Sequence, residues 1–229
     1  MNDVPPEHEL RDRSLSRQDI ESLPSSRRYH LVDCDLEERD LSGLDLIGWR
    51  FERCNLRHAD LSGAILEGTG WHGCRGAFAN FTGAALAESS FHASDFNNAA
   101  FRRAKLYAAQ FTACKLTGAD FTDGTAMEIG IEETLLINAR LPGFSFRNGR
   151  LRKVDFSQAD IRKCDFRQTV FEQCSLRDAN MTGSRFDGAD LRGADIGGLR
   201  LVDASLFRGA TISREQAGEL LGELGLKVR

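Results

Sequence analysis

The chain has 229 residues, with 34 acidic side chains against 30 basic ones and a formal charge of -4. That near balance excludes the polybasic footprint of a nucleic-acid binder and also a polyacidic tail, so direct contact with nucleic acid is not expected. No apolar run is long enough to cross a bilayer and Met1 to Arg28 lack a secretory apolar core, so no membrane partner and a cytoplasmic location are expected.

Residues 1–28 read as an N-terminal cap or a flexible segment, in which Arg13 to Leu23 have a helical pattern that Pro24 would end. From Leu31 to Leu206 every fifth residue is a centre in one unbroken frame, and 34 of the 36 centres are Leu, Phe, Ile, Met or Trp. Gly76 and Ala126 are the exceptions. A small residue stands two positions before the centre in 29 of the 36 cases. A period of five fits neither a helix nor a flat strand, so residues 29–210 read as one repeat domain with no insertion. Two positions in five point inward, and the other three are mainly polar.

Six cysteines would suggest a disulfide framework on count alone. Their positions argue otherwise, since Cys34, Cys54, Cys74, Cys114, Cys164 and Cys174 all occupy the small slot before a centre. Cys34, Cys54, Cys74, Cys114 and Cys174 also differ by multiples of 20, which places them in one interior column if a coil takes 20 residues. Reduced, buried thiols are expected there.

Ala59-Asp60-Leu61-Ser62-Gly63, Ala119-Asp120-Phe121-Thr122-Asp123 and Ala189-Asp190-Leu191-Arg192-Gly193 resemble the A-D-L-x-x motif of the pentapeptide-repeat family. That resemblance implies an all-β solenoid, a right-handed quadrilateral β-helix with four repeats per coil. Thirty-six repeats then make about nine coils, a rod of roughly 43 Å at ~4.8 Å per coil.

Residues 211–229 read as a C-terminal helix and a short strand. Ser213 and Gln216 form a capping-box pattern, Ala217, Leu220, Leu221 and Leu224 share a helical face, and Gly225 suits the C-cap. Leu226-Lys227-Val228 has the alternation of a brief strand. The tail resembles that of family members in which two protomers join end to end. The resemblance therefore implies a homodimer through Ala217, Leu220, Leu221, Leu224, Leu226 and Val228.

No catalytic set stands out, because the serines and carboxylates are distributed along the repeat without a grouped nucleophile and base. Gly68-Thr69-Gly70-Trp71-His72-Gly73 matches G-x-G-x-x-G, yet Trp71 is a repeat centre and no βαβ unit surrounds it. His72 and His92 share an outward slot one coil apart but lack further ligands in the frame. Neither an enzyme, a cofactor nor a metal site is expected. Two segments depart from the motif. Gly124 to Phe146 has large residues in small slots at Ile129 and Phe144 and apolar residues outside at Met127, Leu135 and Ile137. Trp71 to Phe78 has Gly76 as a centre and Phe78 outside.

The resemblance extends to the bacterial pentapeptide-repeat proteins that protect DNA gyrase and topoisomerase IV from poisons of the fluoroquinolone or albicidin type. It implies a rod of DNA-like width whose carboxylates stand in for phosphates. Residues 30–100 carry 5 basic and 11 acidic groups, whereas 101–212 carry 17 and 14, so the acidic half is N-terminal. Asp33, Asp35, Glu37, Glu38, Asp40 and Asp45 are the densest acidic cluster, and Met127, Leu135 and Ile137 are the second candidate contact. A structural or adaptor rod unrelated to topoisomerases is the alternative.

Overall fold

The computed structural model describes residues 8–25, 27–199, 201–223 and 225–227. The five-residue beat winds the chain into a four-sided solenoid of about nine turns. The first face is one parallel sheet in chain order. It consists of β1 (His8–Arg11), β2 (Tyr29–Val32), β3 (Arg50–Glu52), β4 (Gly70–His72), β5 (Ser90–His92), β6 (Gln110–Thr112), β7 (Gly130–Glu132), β8 (Arg150–Arg152), β9 (Val170–Ser175) and β10 (Asp190–Asp195). Phe51 lies opposite Trp71 and Phe91 opposite Phe111, so a coil takes 20 residues. The second, third and fourth faces are held by ladders of single bridges, beginning with Asp35 to Asn55, Asp40 to Asp60 and Asp45 to Ile65.

Strands stay short because the chain turns a corner two residues after each centre, in left-handed backbone such as Asp33 (φ 53°) and Glu38 (φ 56°). Gly63 takes that conformation without steric cost, whereas Phe78 holds a bulky side chain there at φ 62°. Most centre amides bond the next coil, as Leu36 N–H does to the Asn55 carbonyl at 2.7 Å.

All but two of the inward centres from Leu31 to Ile196 are buried apolar side chains; Gly76 and half-buried Ala126 are the exceptions. Aromatic rings stack along the axis on the first face, with Phe51 on Trp71 at 4.0 Å and Phe91 on Phe111 at 4.7 Å. On the third face Phe81, Phe101 and Phe121 follow at 4.8 and 4.7 Å. Higher up the stack changes to the fourth face, where Phe146, Phe166, Phe186 and Phe207 are spaced at 5.1, 4.8 and 4.6 Å. The exceptional centres fit this packing. A Cβ on Gly76 would lie 2.1 Å from the ring of Phe96, which leans across the space a large centre would fill. Ala126 is undersized one coil below Phe144, an oversized buried side chain in a small slot.

All six cysteines are free and buried. Burial pushes the Cys114 thiol up to about 11 and the Cys164 thiol up to about 12.

The ends depart from the expected frame. Instead of a helix from Arg13 to Leu23, the N-terminal segment continues the solenoid: β1 pairs with β2, and Ser14 bridges Asp35. The helix α1 is only Arg17–Glu21, started by a Ser16 and Asp19 capping box. The reason is that Leu10, Leu15 and Ile20 keep the beat of five and pack on the core, displaced by one residue so that Leu10 faces Leu31. At the other end the frame also slips by one. A 3-10 helix, Leu201–Phe207, carries the last centres out of register, and Phe207 rather than Leu206 stacks on Phe186.

Helix α2 (Arg214–Glu223) has the expected capping box: Ser213 N–H donates to Gln216 Oε1 at 2.6 Å, and Gln216 N–H to Ser213 Oγ at 3.2 Å. Gln216 Nε2 also donates to the carbonyls of Leu191 and Ala194, at 2.8 and 2.7 Å, which seats the helix on the last coil. Gly225 (φ 80°) closes it, with Gly225 N–H on the Gly222 carbonyl and Leu226 N–H on that of Leu221. The expected strand does not form at Leu226 and Lys227, because the Leu226 amide is spent in this cap and no neighbouring strand lies alongside. Leu224 and Val228 lie outside the described residues. No described helix is long and apolar enough to cross a membrane.

Replacing Gly76 by Ala forces its Cβ into Phe96 and is expected to cost about 1–3 kcal/mol by overpacking. Adding Phe96→Leu to the same chain should recover most of the loss, read as the urea midpoint of unfolding.

Candidate functional site

The residue before a centre is so often Asp because its carboxylate accepts the backbone N–H two residues on, closing the turn. Asp35 receives Glu37 at 3.2 Å, Asp40 receives Ser42 at 2.9 Å and Asp45 receives Ile47 at 3.2 Å. The same bond recurs at Asp60 to Ser62 (2.9 Å), Asp120 to Thr122 (3.0 Å) and Asp165 to Arg167 (3.1 Å). These carboxylates are first of all parts of the fold, a role that a reading of outward positions as solvated surface misses.

The acidic cluster does not form one patch. Asp35, Glu37 and Glu38 come together on the second face, with Asp33 at the corner leading into it, whereas Asp40 and Asp45 lie on the third and fourth faces. Two of the six are neutralised. Asp33 is clasped by Arg53 at 2.8 and 2.7 Å and approached by Arg11 at 3.5 Å, and the Arg53 hydrogen bonds hold its carboxyl below the usual range. Asp40 receives Arg17 of α1 at 3.0 Å, and the Ser42 hydroxyl and amide lower its pKa further. Asn55 donates to both Asp35 and Glu37, at 2.9 and 2.8 Å. Glu38 and Asp45 meet no cation among the described residues.

The winding instead assembles a different acidic surface. Residues 39–48, 59–68 and 79–88 are the third and fourth faces of three successive coils; they contain a single basic residue, Arg39 at the leading corner, and five carboxylates, Asp40, Asp45, Asp60, Glu67 and Glu88. Arg50, Arg53, Arg57 and Arg75 fall on the first and second faces, while Arg17 of α1 reaches Asp40 on the third. Gly43, Gly63 and Gly83 line one corner of the third face with nothing within 4 Å of where a Cβ would stand, so that edge is flat and open. Asp60, Glu67 and Glu88 were not singled out by sequence reasoning, and the signal that finds them is position modulo 20.

Farther along the rod, arginines two residues after the turn-closing Asp reverse this. Arg162, Arg167 and Arg192 chelate Asp160, Asp165 and Asp190 through two nitrogens each, at 2.5 to 2.9 Å, and these hydrogen bonds are what lower the three carboxyl pKa values.

The apolar candidates are also divided. Met127 is 69 % exposed on the fourth face, whereas exposed Leu135 and half-buried Ile137 lie on the opposite, second face. His72 and His92 stack at 4.9 Å with their Nδ1 atoms 3.0 Å apart. Among the described residues no three His, Cys, Asp or Glu gather as metal ligands.

Residues 30–68, 54–92 and 84–123 match the family model of pentapeptide repeats in 8 copies, and residues 136–195 match that of pentapeptide repeats in 9 copies. The chain belongs to the pentapeptide-repeat family. No curated protein matches it by sequence. Among solved structures, full-length QnrB1, a plasmid-mediated fluoroquinolone resistance protein, superposes with a TM-score of 0.65 at 20 % identity, covering 96 % of this chain and 98 % of that one. A trypsin-treated form of QnrB1 gives 0.66 at 23 % identity over 88 % and 98 % of the two chains. HetL, a pentapeptide-repeat protein involved in heterocyst differentiation regulation in the cyanobacterium Nostoc, gives 0.55 at 21 % identity over 81 % and 86 %. At these identities the likeness is one of fold.

The Arg-chelated carboxylates make the pentapeptide rod acid-sensitive in a defined direction. Their folded pKa values lie below the unfolded one of about 3.9, so they stabilise fully above that pH and lose the contribution as pH falls through the folded values. An Asp160→Asn, Asp165→Asn, Asp190→Asn variant keeps the turn-closing acceptors. It should unfold at lower temperature at pH 7 and show a flatter fall between about pH 5 and 2 in a melting series.

Proposed function

We propose that this pentapeptide-repeat protein binds a type II topoisomerase, DNA gyrase or topoisomerase IV, and protects it from a poison, partly by presenting carboxylates where DNA presents phosphates. The observation that carries this reading is the acidic surface of the third and fourth faces, where residues 39–48, 59–68 and 79–88 hold one basic group, Arg39 at the corner, and Arg17 pairs with Asp40, set on a rod that matches QnrB1 from end to end. Asp45, Asp60, Glu67 and Glu88 meet no guanidinium or ammonium among the described residues, so they remain available to the basic groups of a DNA-binding saddle. The C-terminal half has more basic than acidic groups and pairs many of its carboxylates with its own arginines, so it contributes no comparable acidic surface. The contact is therefore assigned to the N-terminal coils, with Asp35, Glu37 and Glu38 at its edge.

Purified protein is expected to restore gyrase supercoiling in the presence of a fluoroquinolone, and Asp60→Lys with Glu67→Lys to weaken that effect by about tenfold or more. Relief at no ratio of protein to enzyme would favour an adaptor rod acting on some other protein, a reading in line with the likeness to HetL.

The second part of the proposal is a homodimer through the C-terminal end. Leu220 and half-buried Ala217 lie against the protomer's own last coil or beside it, but Leu221 is 39 % and Leu226 56 % exposed. Beside them a groove of about 210 Å³ opens between the last coil and α2, lined by Ile196, Leu199, Phe207, Ile212 and Leu220. A twofold partner would cover these groups and the end of the solenoid together. Sedimentation should give twice the chain mass for the wild type and the single-chain mass for Leu221→Asp with Leu226→Asp.

A further inference from the structure

Between two coils the backbone ladder of the fourth face is open. One coil lower, Leu106 N–H reaches the Thr125 carbonyl at 2.7 Å and Ala108 N–H reaches that of Met127 at 2.9 Å. One coil higher, Phe146 bonds Asp165 at 2.8 Å and Asn148 bonds Arg167 at 2.9 Å. The equivalent bonds from Ala126 to Ser145 and from Glu128 to Arg147 are not made, nor are those of Ser145 N–H to Gly124 and Arg150 N–H to Ile129. The first-face sheet narrows at the same level: β7 and β8 pair only through Glu132 and Arg152, where β3 and β4 pair through three residues. The lips are closed on either side by Phe121 N–H on the Arg140 carbonyl at 2.7 Å and by Glu133 N–H on that of Arg152 at 2.8 Å. Arg152 also grips Glu132 and Glu133, at 2.5 and 2.9 Å.

The opening is a cleft of about 490 Å³, walled by Met127, Ile129, Phe146 and Leu151 with Arg147 and Arg150 on its upper rim. Its cause is in the packing. Ala126 leaves the fourth-face column one large side chain short where the Leu stack below meets the Phe stack above, and Ile129 and Phe144 fill small slots beside it.

We infer that this cleft is a docking site for an extended peptide segment of a partner protein, received as an added strand. What specifies a polypeptide is the unpaired backbone on both lips, where N–H groups two residues apart at Ala126 and Glu128 face free carbonyls at Ser145 and Arg147. An extended chain offers donors and acceptors at that same interval, while its alternate side chains would meet Met127 and Phe146. Glu128 is engaged by the Tyr107 hydroxyl and Arg147 is exposed, so the rim favours an Asp or Glu in the incoming segment. The site lies on the fourth face, two coils above the acidic surface, and does not depend on the topoisomerase reading.

The test uses the full chain and a displayed random octapeptide library. Selected peptides should alternate apolar residues with at least one carboxylate, and as synthetic peptides should bind about tenfold more weakly to Met127→Asp or Arg147→Glu, both at exposed positions. Amide hydrogen exchange should be fast at Ala126, Glu128, Ser145 and Arg150 in the free protein and slow with peptide bound. The inference is overturned if these four amides are as protected as Leu106 and Phe166 without peptide, if no peptide is enriched, or if a bound peptide leaves their exchange unchanged.

Discussion

Four large inward side chains per coil are all that the interior of this rod can hold, and every coil must stack its four on those above and below. That single volume constraint governs most of the structure. Because a repeat touches only its neighbours, a misfit has to be answered within one coil of where it arises. Gly76 is such a case: Trp71 and Phe96 crowd its level, and the absent side chain is the space into which Phe96 turns to meet Trp71, Phe81 and Phe91 edge on. Flat rings spaced at 4.6 to 5.1 Å in the upper stack match the rise of a coil, so a column of Phe sets the spacing of the backbone that carries it.

The same beat constrains the surface charge. An Asp just before a centre is committed to the turn, so the sign of a face depends on the residue that follows the centre. Where that residue is Ser or Thr, as at Ser42, Ser62 and Thr122, its hydroxyl or amide joins the turn without adding a charge. Where it is Arg, as at Arg162, Arg167 and Arg192, the guanidinium folds back on the same carboxylate and cancels it. The acidic N-terminal coils and the more basic C-terminal ones therefore share one turn chemistry, and the residue that follows the centre is one of the slots in which they differ.

Much of this was legible in the sequence because the repeat is in absolute phase. The centres, the small slots and the buried cysteines follow from counting by five and twenty, and the helix at Arg214–Glu223 follows from the capping pattern of Ser213 and Gln216. What counting by five alone does not show is which outward residues share a face. Met127 and Leu135 are eight apart and look like one patch, yet they fall on opposite sides of a four-sided coil. The acidic run from Asp33 to Asp45 is contiguous in sequence and for that reason wraps around three faces. The one-residue offsets at Leu10 and Phe207 arise where a terminal coil has a neighbour on one side only and the register can slip. The roles of Arg17 and Gln216 are set by the approach of the end helices, which no local pattern encodes.

The open seam between Ala126 and Arg150 follows from the same volume rule, applied where it is not satisfied. Below it the long ring stacks run up the first and third faces, above it up the fourth, and the coil at the change carries Ala126, Ile131, Leu136 and Leu141 without a ring among them. With only the methyl of Ala126 at the centre that should hold the rise on the fourth face, four backbone hydrogen bonds are not made there, each worth about 1 kcal/mol net. The loss is tolerable because most of the freed residues, Glu128, Ile129, Ser145, Arg147 and Arg150, line a cleft open to water rather than a dry interior, where each would cost several times more. It is also telling that the two family matches stop at residue 123 and resume at 136, on either side of the coil where the motif gives way. A leucine at the Ala126 position would restore the column, and the amides of Ala126 and Glu128 would then be expected to meet the carbonyls of Ser145 and Arg147. The motif is broken at a level where, among the described residues, the wall of the solenoid leaves backbone groups on both lips free to receive another chain.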